Sequence, residues 1–258
     1  MTATGAERAP GGFRTHLAAL ASAQKPSLNT AAYSRLVNRP AGRVAAAAAH
    51  TLGATPNQVT AVSATLSTAG LAILALVEPR WWTGIVVAVL LAAGYVLDSA
   101  DGQLARLRGG GSRSGEWLDH TIDCFKTASL HLAVLVSFYR FGPAGDGWLL
   151  VPLGFEVVAV VTYFGLILMP TLRPAPEGKP VVEPVETTQP TTPAPEHPLR
   201  KWALLPMDYG AQCWMFVLLG FGAVFSWVYL LVFACNAAAL VIALRKWWRE
   251  LRALDGVA

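Results

Sequence analysis

Residues 81–97, WWTGIVVAVLLAAGYVL, run without a charged side chain straight into DSADGQLARLRGGGSRSGEWLDHTID, residues 98–123. An apolar run on this scale, continued as helix, suits the roughly 30 Å hydrocarbon core of a bilayer. In that medium every backbone polar group must be bonded within a helix or a closed barrel. Yet the chain carries Asp98, Asp101, Asp119 and Asp123 into the edge of the membrane. An ionised carboxylate taken out of water is costly unless a cation or donor pairs with it. The acids therefore need a common purpose.

The rest of the sequence agrees with a membrane solvent. The chain is 54% hydrophobic and 14% charged, against about 25% charged in an ordinary soluble domain. Six apolar segments are long enough to cross or nearly cross a bilayer: 59–77, 81–107, 115–138, 148–169, 209–225 and 227–244. The fold class expected is all-α, a polytopic membrane protein of six transmembrane helices. Ahead of them, residues 31–52 carry Tyr33, Leu36, Val37, Val44, Ala47 and Ala48 at helical spacing, with Arg35, Arg39 and Arg43 on a separate stripe. That pattern reads as a basic amphipathic helix in the membrane interface; the plainer reading is a helix packed on the bundle. Pro40 should kink or restart it.

Residues 1–30 have no sustained apolar core and read as a flexible cytoplasmic tail, not a cleaved signal peptide. The domain plan is then helices 1–4 within 55–170, a low-complexity Pro-, Thr- and Glu-rich loop over 171–205, helices 5–6 within 206–248, and a tail over 249–258. Five Arg and one Lys precede Asn57. Arg108, Arg113, Arg173, Lys179, Arg200, Lys201, Arg245, Lys246, Arg249 and Arg252 fall on the same side, and only Arg80 and Arg140 on the other. The positive-inside rule then puts both termini and the acidic motif in the cytoplasm, at the cell membrane. Trp81, Trp82, Trp148, Trp227, Trp247 and Trp248 fall near span ends, as an aromatic belt would. Cys124, Cys213 and Cys235 lie in apolar stretches without a CxxC pair and read as buried small hydrophobes.

Asp98 and Asp101 are three apart and share one face of the second span. Asp119 and Asp123 are four apart and share one face of the third. The glycine-rich RLRGGGSRS folds the two into an antiparallel hairpin, so the acidic faces meet at similar depth. Four carboxylates that close repel unless cations separate them, and oxygen-only ligands favour Mg²⁺ or Mn²⁺, with Ca²⁺ as a further option. His120 is turned away from both neighbouring acids on a helix. Two such ions would suit displacement at phosphorus. Gly102 and Ala105 are small and let a ligand approach the backbone, although helix packing alone favours small residues too. Arg106 suits a phosphate oxygen. Gly115 lets the third helix start close to the second.

The residues read Asp98-x2-Asp101-Gly102-x2-Ala105-Arg106-x8-Gly115-x3-Asp119-x3-Asp123. This resembles the signature of the CDP-alcohol phosphatidyltransferases, as do the six spans and TPNQVT at 55–60. The resemblance implies a phosphotransferase of phospholipid biosynthesis: an acceptor hydroxyl attacks the phosphate of a CDP-linked donor, most simply CDP-diacylglycerol, and expels CMP. It implies Asp98, Asp101 and Asp119 as metal ligands, and Asp123 as general base and further metal contact. It places Asp98, Asp101, Gly102, Ala105, Arg106 and Gly115 at the CDP site, with Asn57 and Thr60 as added contacts or helix caps. Two Mg²⁺ or Mn²⁺ ions are the implied cofactors. The implied partners are the CDP-linked donor, a small hydroxyl acceptor, membrane lipid and a second copy of the chain; no nucleic acid is expected.

A branch using inositol phosphate often has Arg directly after the fourth acid, where this chain has Cys124; that counts against this acceptor. Lys126 is the nearest base, and Arg200, Lys201 and Arg245 are further acceptor-site candidates. Lys126 has a plainer reading as a lysine pairing with Asp123 or snorkelling. YSRLVNRP with TPNQVT also looks like the branch with a CDP-inositol donor, and CDP-choline or CDP-ethanolamine transfer is a further alternative. From another class, intramembrane acids mark ion-coupled transporters, but those spread their acids over several broken helices. A scaffold with a dead site is a third reading.

Overall fold

The protein is described here from a computed structural model covering residues 12–22, 31–142, 145–174 and 200–256. Among these residues there are helices and no strands. Five stretches are long and apolar enough to cross a membrane. They are α3 (Pro56–Leu76), α4 (Trp81–Leu107), α5 (Arg113–Phe141), α6 (Leu150–Leu172, entered through a 3₁₀ turn at Asp146–Leu149) and α9 (Ala223–Leu254). This is the architecture of a multi-pass membrane protein.

The expected fifth span, 209–225, takes a different form. After a short α7 (Arg200–Ala203), α8 covers only Tyr209–Met215; a 3₁₀ stretch, Phe216–Phe221, follows and breaks at Gly222, whose φ is +36°. The cause lies on α4. Side chains at Gly84 or Gly220 would collide with the Phe216 carbonyl or with the Trp81 backbone, so the two backbones touch. The segment runs antiparallel to α4, with Gly210 against Tyr95, Phe216 against Gly84 and Gly220 against Trp81. That spans about 21 Å of α4 at 1.5 Å per residue. The 3₁₀ stretch rises about 2 Å per residue, which helps so short a segment keep pace.

Three other expectations change. The tail expected over residues 1–30 contains a helix, α1 (Phe13–Ser22), whose Leu20 is buried against α4 and the helix α2 (Arg39–Thr51). Leu17 and Leu20, spaced for one helix face, carry this docking. The last helix runs to Leu254 rather than Leu244, held by a bidentate pair between Arg173, just past the end of α6, and Glu250, 2.7 and 3.1 Å. Cys124 is exposed on the outer face of α5, while Cys213 is buried and Cys235 half-buried. The helix turns Thr121, Cys124 and Phe125 outward. Most of the 171–205 loop lies outside the described residues.

The segment expected at the interface forms α2 (Arg39–Thr51), entered through a π turn at Ser34–Asn38. The π turn answers Pro40: the Arg39 amide bonds Ser34 O, so the ladder shifts by one residue just before the proline, which has no amide to give. One face of this helix packs on the bundle, as the plainer reading expects, and the other is open. Gly42, Ala46 and Ala47 are buried on the bundle, while Leu36, Val37 and Val44 are exposed.

Two apolar cores result. The larger joins Leu71, Leu74, Val87, Leu91, Val134, Phe155, Phe216 and Tyr229. The smaller joins Leu20, Ala46, Ala47, Val59, Ala100 and Leu104. Between their levels on α4 lie Tyr95 and Asp98. A small-residue seam brings α3 against α4: Ser63 Oγ donates to Gly94 O at 2.8 Å, and a Cβ on Gly70 would press on Leu91.

Candidate active site

The loop between α4 and α5 sets the geometry. Gly109 and Gly110 have φ of +93° and +127°. Gly110 N–H bonds Ala105 O and Gly109 N–H bonds Arg106 O, 3.0 and 3.1 Å. This is a Schellman ending, in which glycine supplies the left-handed residue that stops a helix. Ser112 then caps α5 by accepting from Gly115 N–H at 3.0 Å. The chain is turned back within a few residues, and the acids of α4 and α5 face each other.

Three of them converge. Asp98, Asp119 and Asp123 each present an oxygen, all within 4.8 Å of one another. The donor set is all carboxylate oxygen, drawn from two helices, and this fits a hard divalent cation. Asp101 stands apart from this triad. Its Oδ2 accepts from Thr60 Oγ1 at 2.6 Å and its Oδ1 from the Gly102 amide at 2.6 Å, and it is buried. Thr60 thus ties α3 to the acidic face of α4. The helix cap at this end is made by Thr55 and Gln58, not by Asn57 or Thr60. Asn57 Oδ1 lies 3.2 Å from where a Cβ on Gly115 would stand.

Lys126 is the largest departure from an open acidic pocket. It is 5% exposed and its ammonium is ion-paired to Asp98 and to Asp123, the latter at 2.9 Å. Of its two sequence readings, the structure displays the pairing. Arg106 folds back along α4, and its Nη1 is the one atom a Cβ on Gly102 would meet, at 3.8 Å. Ala105 lies under the returning loop, 3.9 Å from a Cβ on Gly111. The ring of His120 is outside the triad, and its backbone carbonyl accepts from Tyr163 OH at 2.7 Å. Lys201 lies over the Trp202 ring at 5.7 Å, and Arg245 is exposed on α9. The Arg200 side chain is outside the described residues.

A second polar group escaped the sequence reading. Asp208 is buried; its Oδ1 caps α8 through Gly210 N–H and its Oδ2 accepts from Ser34 N–H, each at 2.9 Å. Ser34 Oγ is 2.8 Å from Tyr95 OH, and Trp214 Nε1 donates to Tyr33 OH at 2.9 Å. These bonds clamp the interfacial segment against α4 and α8 one turn from Asp98. An acid opening an apolar run was the available signal. Its partner Ser34 lies 174 residues away in sequence.

A hairpin of carboxylates at one end of a helical membrane bundle, tied to a polar helix start by Thr60, defines a class. A profile of the CDP-alcohol phosphatidyltransferases matches residues 53–236, and the chain belongs to that family. It is also similar to archaetidylinositol phosphate synthase of Pyrococcus horikoshii, 37% identical over 94 residues. That alignment takes in 36% of this chain and 47% of the relative, about half its length. The family and the confinement of the triad to one hairpin leave the ion-coupled transporter reading without support.

Proposed function

We propose that this protein transfers a substituted phosphate group, phosphatidyl from CDP-diacylglycerol, to the hydroxyl of an acceptor alcohol, releasing CMP in phospholipid biosynthesis. The observation that carries this reading is the convergence of Asp98, Asp119 and Asp123 on a chain of this family. Mg²⁺ or Mn²⁺, two ions together, would supply charge neutralisation of the diphosphate and of the leaving CMP. Asp98, Asp119 and Asp123 would hold them. Asp101, held beside them by Thr60, would join the set on releasing one of its present donors, as the family resemblance implies. Gly102, Ala105, Arg106, Gly115 and Asn57 line the CDP site, where Arg106 meets a phosphate oxygen.

The reaction forms one bond from the acceptor oxygen to the donor phosphorus and breaks the bond from that phosphorus to the oxygen that leaves with CMP. Asp123, the more exposed of the two acids paired with Lys126, takes the hydroxyl proton. We infer a phosphorylated inositol as acceptor, on the similarity to an archaetidylinositol phosphate synthase and on the cation that Lys126 brings to a site that has Cys124 where that branch has arginine. Lys201, Arg200 and Arg245 are further contacts for its phosphate. The site faces the cytoplasm, and the enzyme works as a homodimer in the cell membrane.

The test is CMP release by the full chain in mixed micelles with Mg²⁺ or Mn²⁺. CDP-diacylglycerol is offered with inositol phosphate, glycerol 3-phosphate, serine or inositol, and CDP-inositol and CDP-choline as alternative donors. EDTA-sensitive release with CDP-diacylglycerol and inositol phosphate is expected. Release with CDP-inositol alone would move the protein to the neighbouring branch, and release with no pair would overturn the reading.

A further inference from the structure

Lys126 sits one turn deeper on α5 than Asp123 and pairs with that acid and with Asp98. These are two of the three residues whose oxygens converge. Its side chain is 6% exposed, against 17% for Asp98 and 33% for Asp123. The ammonium therefore approaches the acids from the membrane side, not from water. Snorkelling past the acids to the aqueous face would break both pairs. A lysine that only held α4 to α5 needs one partner; this one has two of the three carboxylates that a cation between the helices would use.

The physics makes the arrangement competitive. Before a metal binds, the convergent acids repel one another in a medium of low dielectric, and the ammonium offsets that repulsion. A divalent ion bound to the same oxygens repels the ammonium, and the two charges draw on the same acceptor lone pairs. The acids serve one cation or the other, not both at full strength.

We propose that Lys126 is a resident counter-cation that competes with divalent metal for Asp98 and Asp123. It keeps the hairpin assembled without metal and withdraws from the two acids on metal loading, and so sets the affinity of the site for metal. Withdrawn by a change of rotamer, its ammonium stays in the pocket, next to where an anionic acceptor is held. The inference rests on the reading of the triad as a metal site.

The experiment is Mn²⁺ binding by electron paramagnetic resonance on the purified full chain in detergent, with thermal unfolding in the presence and absence of Mn²⁺. Lys126→Met should bind Mn²⁺ about tenfold more tightly than the natural chain, because its ligands are no longer shared. It should unfold at lower temperature without metal and gain more from Mn²⁺. Lys126→Arg, which keeps the charge, should stay close to the natural chain in both. A folded Lys126→Met with equal or weaker Mn²⁺ affinity would overturn the proposal and make Lys126 a tie that orients the ligands. If Lys126→Met folds only with metal, chelator-induced Mn²⁺ loss replaces the titration: slower loss than from the natural chain supports the proposal, and faster loss overturns it. The metal-site reading fails separately, through a natural chain whose Mn²⁺ binding is absent or unchanged by Asp119→Asn; that result sinks both.

Discussion

At the scale of single residues, the four acids of the motif have separate environments, although the sequence presents them as two equal pairs. Asp101 is buried and held by Thr60 and the Gly102 amide. A hydrogen bond to a charged group is worth about 1.5–3 kcal/mol. Thr60→Val, which keeps the shape, should cost about that much in stability, whereas Thr60→Ser should restore most of it; denaturant unfolding in detergent reads both. Of the two triad acids paired with Lys126, Asp123 is the more exposed, 33% against 17% for Asp98. Asp123→Asn should reduce CMP release by about 10²–10⁴-fold, the range of a lost general base, while binding of CDP-diacylglycerol stays near normal. Near-normal turnover in that variant would refute the base assignment. The spacing made all these acids legible as candidates. Their division was not legible, because it depends on Thr60, which is 41 residues before Asp101.

At the scale of elements, the seams decide where the site stands. Gly42 of α2 packs on α4 so closely that a Cβ would lie 2.8 Å from Ser99 Oγ and 2.9 Å from Gln103 Nε2. Gln103 Nε2 in turn donates to Arg39 O at 3.3 Å. Gly42→Val should push α2 off this face and cost about 1–3 kcal/mol, the usual price of overpacking; the melting temperature in detergent should fall, and protease should cut more readily before α3. The Arg173–Glu250 pair is a contrast. Its side chains are 23% and 31% exposed, so Arg173→Ala should cost at most about 1 kcal/mol, which unfolding measurements would register as a small shift. Helix existence was readable from apolar runs throughout. The broken form of the fifth segment was not, because its 3₁₀ stretch is imposed by contact with Gly84 and Trp81 on a distant helix.

At the scale of the whole molecule, the cations of the chain gather on the side where the acidic hairpin opens, which is the basis for proposing a cytoplasmic site. In a background without native cysteines, Asp146→Cys should react with an impermeant thiol reagent from outside the cell. Asp255→Cys should react only after the membrane is opened. The reverse pattern would invert the proposed topology. The apolar runs determined by themselves that the chain builds a helical membrane bundle, since a bilayer leaves few other ways to satisfy a backbone. The acid spacing likewise determined the family and the hairpin that bears the site, because helical periodicity is local. Only the tertiary structure decided which acids meet, that Lys126 lies between two of them, and that Asp208, Ser34 and Tyr95 clamp the interfacial segment beside them. Those contacts join side chains from separate helices, and their distances follow from how glycine and serine seams let the helices approach.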